Sequence, residues 1–188
     1  MLLDSQIKKL KDLIGLHSRL YPKLPVKAEQ FESLFSSAIE SEWTPNNHNP
    51  NEDMITEVHS MTRPSLKSGV IKNGYLTISS HRTTSHKTLK EKLDFLDSRT
   101  YDSYVCLSRT DEEKIHKYQL MYFPKNIINF NSLTWVDTYN KKGDKSGWEG
   151  INQDKSIEVK IVKSMSHQVW IKIDINLITV LAEYDITE

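Results

Sequence analysis

The sequence predicts an α/β chain of the α+β kind, a mixed central β-sheet flanked by helices. Three observations predict it. Two amphipathic helical stretches open the chain, a tight hairpin joins two strand-like runs, and a capped helix then leads into an almost wholly apolar strand. Helices that each have one buried face, set around strands that differ in how much they bury, call for a sheet with helical layers on its faces.

The elements follow in order. Residues 5 to 20 place Ile7, Leu10, Leu13 and Ile14 at helical spacing, and residues 28 to 42 do so more clearly with Phe31, Leu34, Phe35, Ala38 and Ile39. Met54 to His59 reads as a short strand, Ser65 to Ile71 as a second and Tyr75 to His81 as a third. Between the last two stands Asn73-Gly74, whose residues tolerate positive φ and so close a two-residue turn. That turn pairs Lys72 with Tyr75, Ile71 with Leu76, Val70 with Thr77 and Gly69 with Ile78. Carried outward, it sets Lys67 opposite Ser80 and Ser65 opposite Arg82.

Thr88 with Glu91 forms a capping box ahead of Leu89, Leu93 and Leu96, a helix that ends near Ser98. Tyr101 to Ser108 is nearly all apolar and is expected at the sheet centre, with its Cys106 a buried, inert thiol. Tyr118 to Phe123, Ile157 to Lys163 and Val169 to Ile173 complete the strands, and residues 124 to 156 read as loop-rich.

A chain of 188 residues without repeats, low-complexity tracts or a flexible linker suits a single domain spanning 1–188. Lys plus Arg and Asp plus Glu number 25 each, so a general electrostatic grip on nucleic acid or membrane is not indicated and any basic surface is local. Asp4, Lys8, Lys9, Lys11 and Arg19 interrupt the opening leucines, and no stretch approaches the ~18 apolar residues of a membrane span. A soluble cytoplasmic protein is expected. One cysteine makes neither an internal disulfide nor a cysteine-rich zinc site.

Local charge is the informative feature. Between His59 and Lys92 stand seven cations, Arg63, Lys67, Lys72, Arg82, Lys87, Lys90 and Lys92, against Glu91 alone. The run Ser79 to His86 adds hydroxyls and imidazoles suited to phosphate oxygens, and Ser80, His81, Arg82, Thr83 and Lys87 are the expected DNA-binding residues. Just upstream lie Glu52, Asp53 and Glu57. Hard oxygen ligands beside a cationic surface suit Mg²⁺-assisted phosphodiester hydrolysis. Continuing the apolar stripe of the second helix lands on Glu42, a further candidate ligand. Residues 140 to 168, with Lys141, Lys142, Lys145, Trp148 and Ser164 to Gln168, offer side chains that read base edges. Gly-rich phosphate loops, G-x-S-x-G elbows, H-E-x-x-H helices and zinc spacings are absent from the sequence, and His48-Asn49 lacks the rest of a ββα-metal pattern.

These residues resemble the PD-(D/E)XK nucleases, in particular the small type II restriction endonucleases. The likeness covers roughly residues 28 to 125: a helix bearing a glutamate, an acidic residue at a strand start, a strand ending in x-x-Lys, a helix and a central strand. It implies a restriction-endonuclease-like core in which Asp53 binds metal and Lys67 of Ser65-Leu66-Lys67-Ser68-Gly69 is catalytic. The family's second acidic position falls on Ser65, a departure that leaves Glu42 or Glu57 to supply the missing carboxylate. The resemblance further implies Mg²⁺ as cofactor, double-stranded DNA as substrate and a homodimer on a palindromic site, with a methyltransferase as companion in a restriction–modification pair. The alternative is a non-catalytic nucleic-acid-binding module, or a partner subunit of a nuclease, which the serine would also suit.

Overall fold

The computed structural model describes residues 2–41, 64–110 and 116–186. Two helices, α1 (Asp4–Leu20) and α2 (Ala28–Ile39), precede a hairpin of β1 (Pro64–Lys72) and β2 (Tyr75–Arg82). Helix α3 (Leu89–Asp97) then leads to β3 (Ser103–Thr110) and β4 (His116–Pro124). Five strands complete the chain: β5 (Thr134–Tyr139), β6 (Lys145–Ile151), β7 (Ile157–Val162), β8 (Gln168–Asp174) and β9 (Thr179–Ile186). They form one nine-stranded sheet in the order β5-β6-β7-β8-β2-β1-β3-β4-β9. The β1–β3 pair is parallel and the other recorded pairings are antiparallel, so the sheet is mixed, as expected.

The hairpin forms around Asn73-Gly74, both at positive φ, with the four inner pairs from Lys72–Tyr75 to Gly69–Ile78 in the expected register. The recorded pairing stops there. Further down, β1 continues along β3, with Ser65 beside Tyr104 and Lys67 beside Cys106. The expected Lys67–Ser80 and Ser65–Arg82 pairs are therefore not part of the ladder. A physical reason lies in β2, whose pairing with β8 is irregular between Ser79 and Arg82, so the strict alternation that the extrapolation needs is lost there.

Each sheet face carries its own core. On one, Leu10, Ile14, Phe31 and Phe35 from α1 and α2 bury Leu66, Val105, Leu107 and Leu120. On the other, Leu93 and Leu96 of α3 pack with Leu76, Ile78, Tyr104, Cys106, Ile161 and Val169. Strand β3 feeds alternate residues to both cores and is buried from Ser103 to Ser108, which explains its apolar run. Helix α2 is set on the sheet by two polar ties at its entry, Ala28 N–H donating to Ser68 Oγ of β1 at 2.9 Å and Val26 N–H to the Tyr118 hydroxyl of β4 at 3.1 Å. The capping box of α3 is present, with Glu91 N–H donating to Thr88 Oγ1 at 3.2 Å and Thr88 N–H to Glu91 Oε2 at 3.0 Å. Such a cap contributes about 1 kcal/mol.

Three expectations need correction. The second helix stops at Ile39, where Glu40 turns left-handed (φ 60°), short of the expected end at residue 42. Residues 124 to 156 are not mainly loop: they hold β5 and β6, as well as short 3₁₀ turns at Lys125–Ile127 and Phe130–Ser132. Strand β9, unforeseen, closes the far edge on β4. The expected strand Met54 to His59 lies outside the described residues. Among those described, no helix is long and apolar enough to cross a membrane.

The β6–β7 pairing depends on Gly147. A Cβ there would lie 2.0 Å from the Ile161 carbonyl oxygen, backbone that has nowhere to move without breaking the ladder. Gly147→Ala is expected to destabilise the protein by about 2 kcal/mol or more, read as a lower midpoint in urea denaturation. Gly143→Ala, where nothing stands within 4 Å but φ is +86°, is expected to cost less.

Candidate functional site

Alternation along β1 sends Leu66 and Ser68 toward the α1–α2 side and Ser65 and Lys67 toward the α3 side. Lys67 is half-buried, its Nζ donates to the Leu66 carbonyl at 2.9 Å, and its charge acts on Cys106 beside it. Burial nevertheless pushes the Cys106 thiol up to about 12, against the pull of Lys67, so this free cysteine is the inert group expected. Ser65 is buried at 2 % exposure next to Tyr104. The Tyr104 ring stacks on Phe123 at 4.8 Å, and its hydroxyl meets that of Tyr101 at 2.6 Å.

His81 joins the same face through Tyr101, 5.6 Å between ring centroids, and through Phe95 of α3 at 6.0 Å. Ser80 is half-buried one residue before it. The structure thus gathers Ser65, Lys67, Ser80 and His81 on the α3 side of the sheet. Glu42, Asp53 and Glu57, the expected metal ligands, lie outside the described residues. Among the described residues no three His, Cys, Asp or Glu side chains come together to hold a metal, so these alone do not fit a Mg²⁺ site.

The other candidate residues form a rim where two distant segments meet. Thr83 N–H and Thr83 Oγ1 both donate to the His167 carbonyl, at 3.1 and 3.0 Å, and Thr84 Oγ1 donates to the Ser166 carbonyl at 2.6 Å. Arg82 Nε donates to Gln168 Oε1 at 3.3 Å. Residues 79 to 86, read from sequence as a phosphate-facing run, and residues 164 to 168 of the expected base-reading segment are one surface. Arg82 and Lys87 are exposed on it. Thr83 is not: fully buried, it ties the two segments together and its hydroxyl is already engaged. Trp148 is likewise buried and faces inward.

Beneath the rim lies a group that the sequence reading took for a surface cation. Lys92 is wholly buried on α3, and its Nζ donates to the Thr83 carbonyl at 2.7 Å and to the His86 carbonyl, and contacts His167 Nδ1 at 2.9 Å. Burial lowers its pKa, with Lys163 adding to the effect and Glu91 opposing it. The signal was present in the sequence, because Leu89, Lys92, Leu93 and Leu96 together make the i, i+3, i+4, i+7 stripe of a buried helix face.

A separate open cleft of about 220 Å³ lies on the opposite face, lined by Lys27, Ser68, Thr77, Ser79, Arg109 and Trp170 among others. It forms where the α1–α2 layer ends and the sheet continues uncovered. On that bare face Lys160 pairs with Glu149 at 3.1 Å and Glu158 at 2.8 Å, and Lys172 pairs with Glu158 at 3.3 Å. The sheet separates this cleft from Lys67.

No protein-family model, curated protein or solved structure matches this chain.

Burial, then the Lys92 and Lys163 charges, hold the folded His167 below its ordinary 6.5, with a hydrogen bond to Thr83 opposing. Between the folded value and 6.5 the unfolded chain binds more protons, so stability rises with pH across that window and is lost as pH falls through it. His17, held low by burial, acts in the same direction. The protein is expected to lose stability on going from about pH 7.5 to 5.5, and His167→Asn to flatten that slope in part, measured by denaturant midpoints at each pH. Asn tolerates the left-handed backbone at this position (φ 51°), which keeps the comparison clean.

Proposed function

We propose that this chain is a Mg²⁺-dependent, sequence-specific DNA endonuclease of the type II restriction kind, cytoplasmic and acting as a homodimer on double-stranded DNA. The observation that carries the reading is the position of Lys67: half-buried in mid-sheet on β1, parallel to the buried strand β3, and on the face that also bears His81. The order of parts agrees, since a hairpin, a helix and a central strand follow an acidic segment holding Asp53 and Glu57.

Lys67 is the proposed catalytic cation. A half-buried ammonium acts through a lower effective dielectric than an exposed one, so it stabilises charge developing on a phosphate oxygen more strongly. Asp53, with Glu42 or Glu57, is the proposed ligand set for Mg²⁺, which when bound would polarise the scissile phosphate and acidify a water. Ser65, at the second acidic position, brings no charge, and that is why a second carboxylate from elsewhere is required. Ser80, His81, Arg82 and Lys87 are the proposed DNA contacts, with Arg82 and Lys87 on backbone phosphates. A methyltransferase protecting the host's own sites is the companion this reading calls for.

Incubation of the purified chain with long mixed-sequence DNA and Mg²⁺ is expected to give discrete bands. Lys67→Ala and Asp53→Ala are each expected to reduce cleavage by roughly 10²- to 10³-fold while leaving the fold and DNA binding in place, because the lost charge acts on the transition state more than on bound substrate. Of Glu42→Ala and Glu57→Ala, the inactive variant identifies the second ligand. A wild type that binds DNA but cuts none with Mg²⁺ or Mn²⁺ would instead be a non-catalytic binding module.

A further inference from the structure

We infer that Lys163 and His167, organised by buried Lys92 over the Trp148 ring, form a binding site for a phosphodiester group of the nucleic-acid substrate. The inference rests on the proposed reading of the chain as a DNA-binding nuclease and adds to it a specific phosphate subsite.

Three lysine ammoniums converge on one indole. Lys145, Lys163 and Lys92 lie 4.6, 5.3 and 5.5 Å from the Trp148 ring centroid, and the His167 ring stands edge-on at 6.2 Å. The ring face attracts cations, yet each such contact yields only about 0.5–2 kcal/mol, too little to assemble like charges without an anion nearby. The carboxylates that face this cluster balance it only in part, Asp137 at Lys145 and Glu91 acting on Lys92. Asp137 is engaged with Lys145 at 2.7 Å, and Glu91 Oε2 accepts the backbone N–H groups of Lys87 and Thr88 at 2.7 and 3.0 Å. Lys163 forms no ion pair among the described residues. The cluster is left with more positive charge than the described residues balance.

Lys92 is too enclosed to meet a ligand. Its role is positional, and it follows from hydrogen-bond inventory. An ammonium has three donors and no acceptor, and here its three partners are the Thr83 carbonyl, the His86 carbonyl and His167 Nδ1. His167 Nδ1 must then accept, which places the ring proton on Nε2. The Thr83 backbone acts on the ring in its charged form, and in the neutral ring Nε2–H is the donor for which no protein acceptor is recorded among the described residues. The backbone fixes it further, since Ser166 and His167 are consecutive left-handed residues (φ 56° and 51°) whose carbonyls are held by Thr84 and Thr83. A neutral N–H donor next to an unpaired ammonium, both carried on a rim that also exposes Arg82 and Lys87, fits a singly charged phosphodiester oxygen.

Two measurements on the 188-residue chain test this. In the first, duplex DNA binding is followed by fluorescence anisotropy against salt concentration, without Mg²⁺, for wild type, Lys163→Ala, His167→Asn and Lys11→Ala, the last an exposed lysine on α1 across the sheet. Lys163→Ala is expected to lower the slope of log K against log salt by about one, His167→Asn to weaken binding severalfold, and Lys11→Ala to change neither. Unaltered binding and slope in Lys163→Ala and His167→Asn, with the wild type still binding DNA, would overturn the inference and leave the nuclease reading standing. A wild type that binds no DNA would sink both. In the second, long-range ¹⁵N–¹H NMR of the histidine rings is expected to report the Nε2–H tautomer of His167 near pH 7 and to show its signals shifting on titration with inorganic phosphate. An Nδ1–H tautomer, or a phosphate titration that moves only exposed lysines, would overturn the proposal. Phosphate shifts at His167 with an unchanged DNA salt slope in Lys163→Ala would assign the site to free phosphate, which contradicts the phosphodiester claim.

Discussion

The parallel pairing of β1 with β3 is the constraint from which the rest of the arrangement follows. A parallel pair cannot be closed by a tight turn, so the chain must cross over between the two strands, and here β2 and α3 make that crossing. The consequence is a helix on one face and a buried strand next to β1. Val105 and Leu107 then face the α1–α2 core while Tyr104 and Cys106 face the α3 core, so β3 has no solvent side. A lysine on β1 at this register cannot reach water freely. Lys67 is half-buried because its neighbouring strand is buried on both faces, and the same pairing that stabilises the sheet sets the electrostatic environment of the proposed catalytic cation.

How much of this was legible in the sequence depended on whether a signal was local. The Asn73-Gly74 turn, the Thr88–Glu91 box and the Phe31–Phe35–Ala38 stripe each depend on residues within about two helical turns of one another, and each is present as read. The strands β5 and β6 escaped because their evidence is not local. Gly150 sits in β6 because the Trp135 ring of β5 packs across it, with ring atoms 2.7–2.9 Å from where a Cβ would stand. In one dimension that glycine looks like a loop residue. Strand β5 lies at the sheet edge with Val136 and Tyr139 exposed, so it has no buried face to give a clean alternation. The Lys67–Ser80 pairing failed for a related reason, since it assumed regular alternation through the Ser79–Arg82 irregularity that the partner strand β8 imposes.

The site was legible in part and for the same reason. Ser65, Lys67 and Ser80 lie on the face that the alternation from the turn gave them, whereas His81 joins them only through the irregularity of β2, in the place the count gave to Arg82. The union of residues 79 to 86 with 163 to 168 could not be read, because nothing within either segment points to the other. Composition misled in one respect. Counting Lys92 among seven surface cations treated charge as exposure, whereas its place on the apolar stripe of α3 was the better guide, and Thr83 was misplaced in the same way. Both are buried polar groups whose hydrogen bonds are made, and a buried polar group so satisfied fixes geometry more than it adds affinity.

Ser65 is where the packing bears most directly on the proposed chemistry. Its site is almost closed to water and lies beside Tyr104, whose ring stacks on Phe123 and whose hydroxyl meets that of Tyr101. Burial already pushes the Tyr104 hydroxyl well above its ordinary range, which marks this region as one that disfavours anions. A carboxylate at residue 65 would meet the same cost, several kcal/mol for an unpaired buried charge, and would be retained only against a nearby cation. A serine hydroxyl at this depth needs only hydrogen bonds. On the proposed reading, a serine rather than a carboxylate on this strand has a cause in the aromatic packing around β3, and the second charge that a metal needs would come from Glu42 or Glu57.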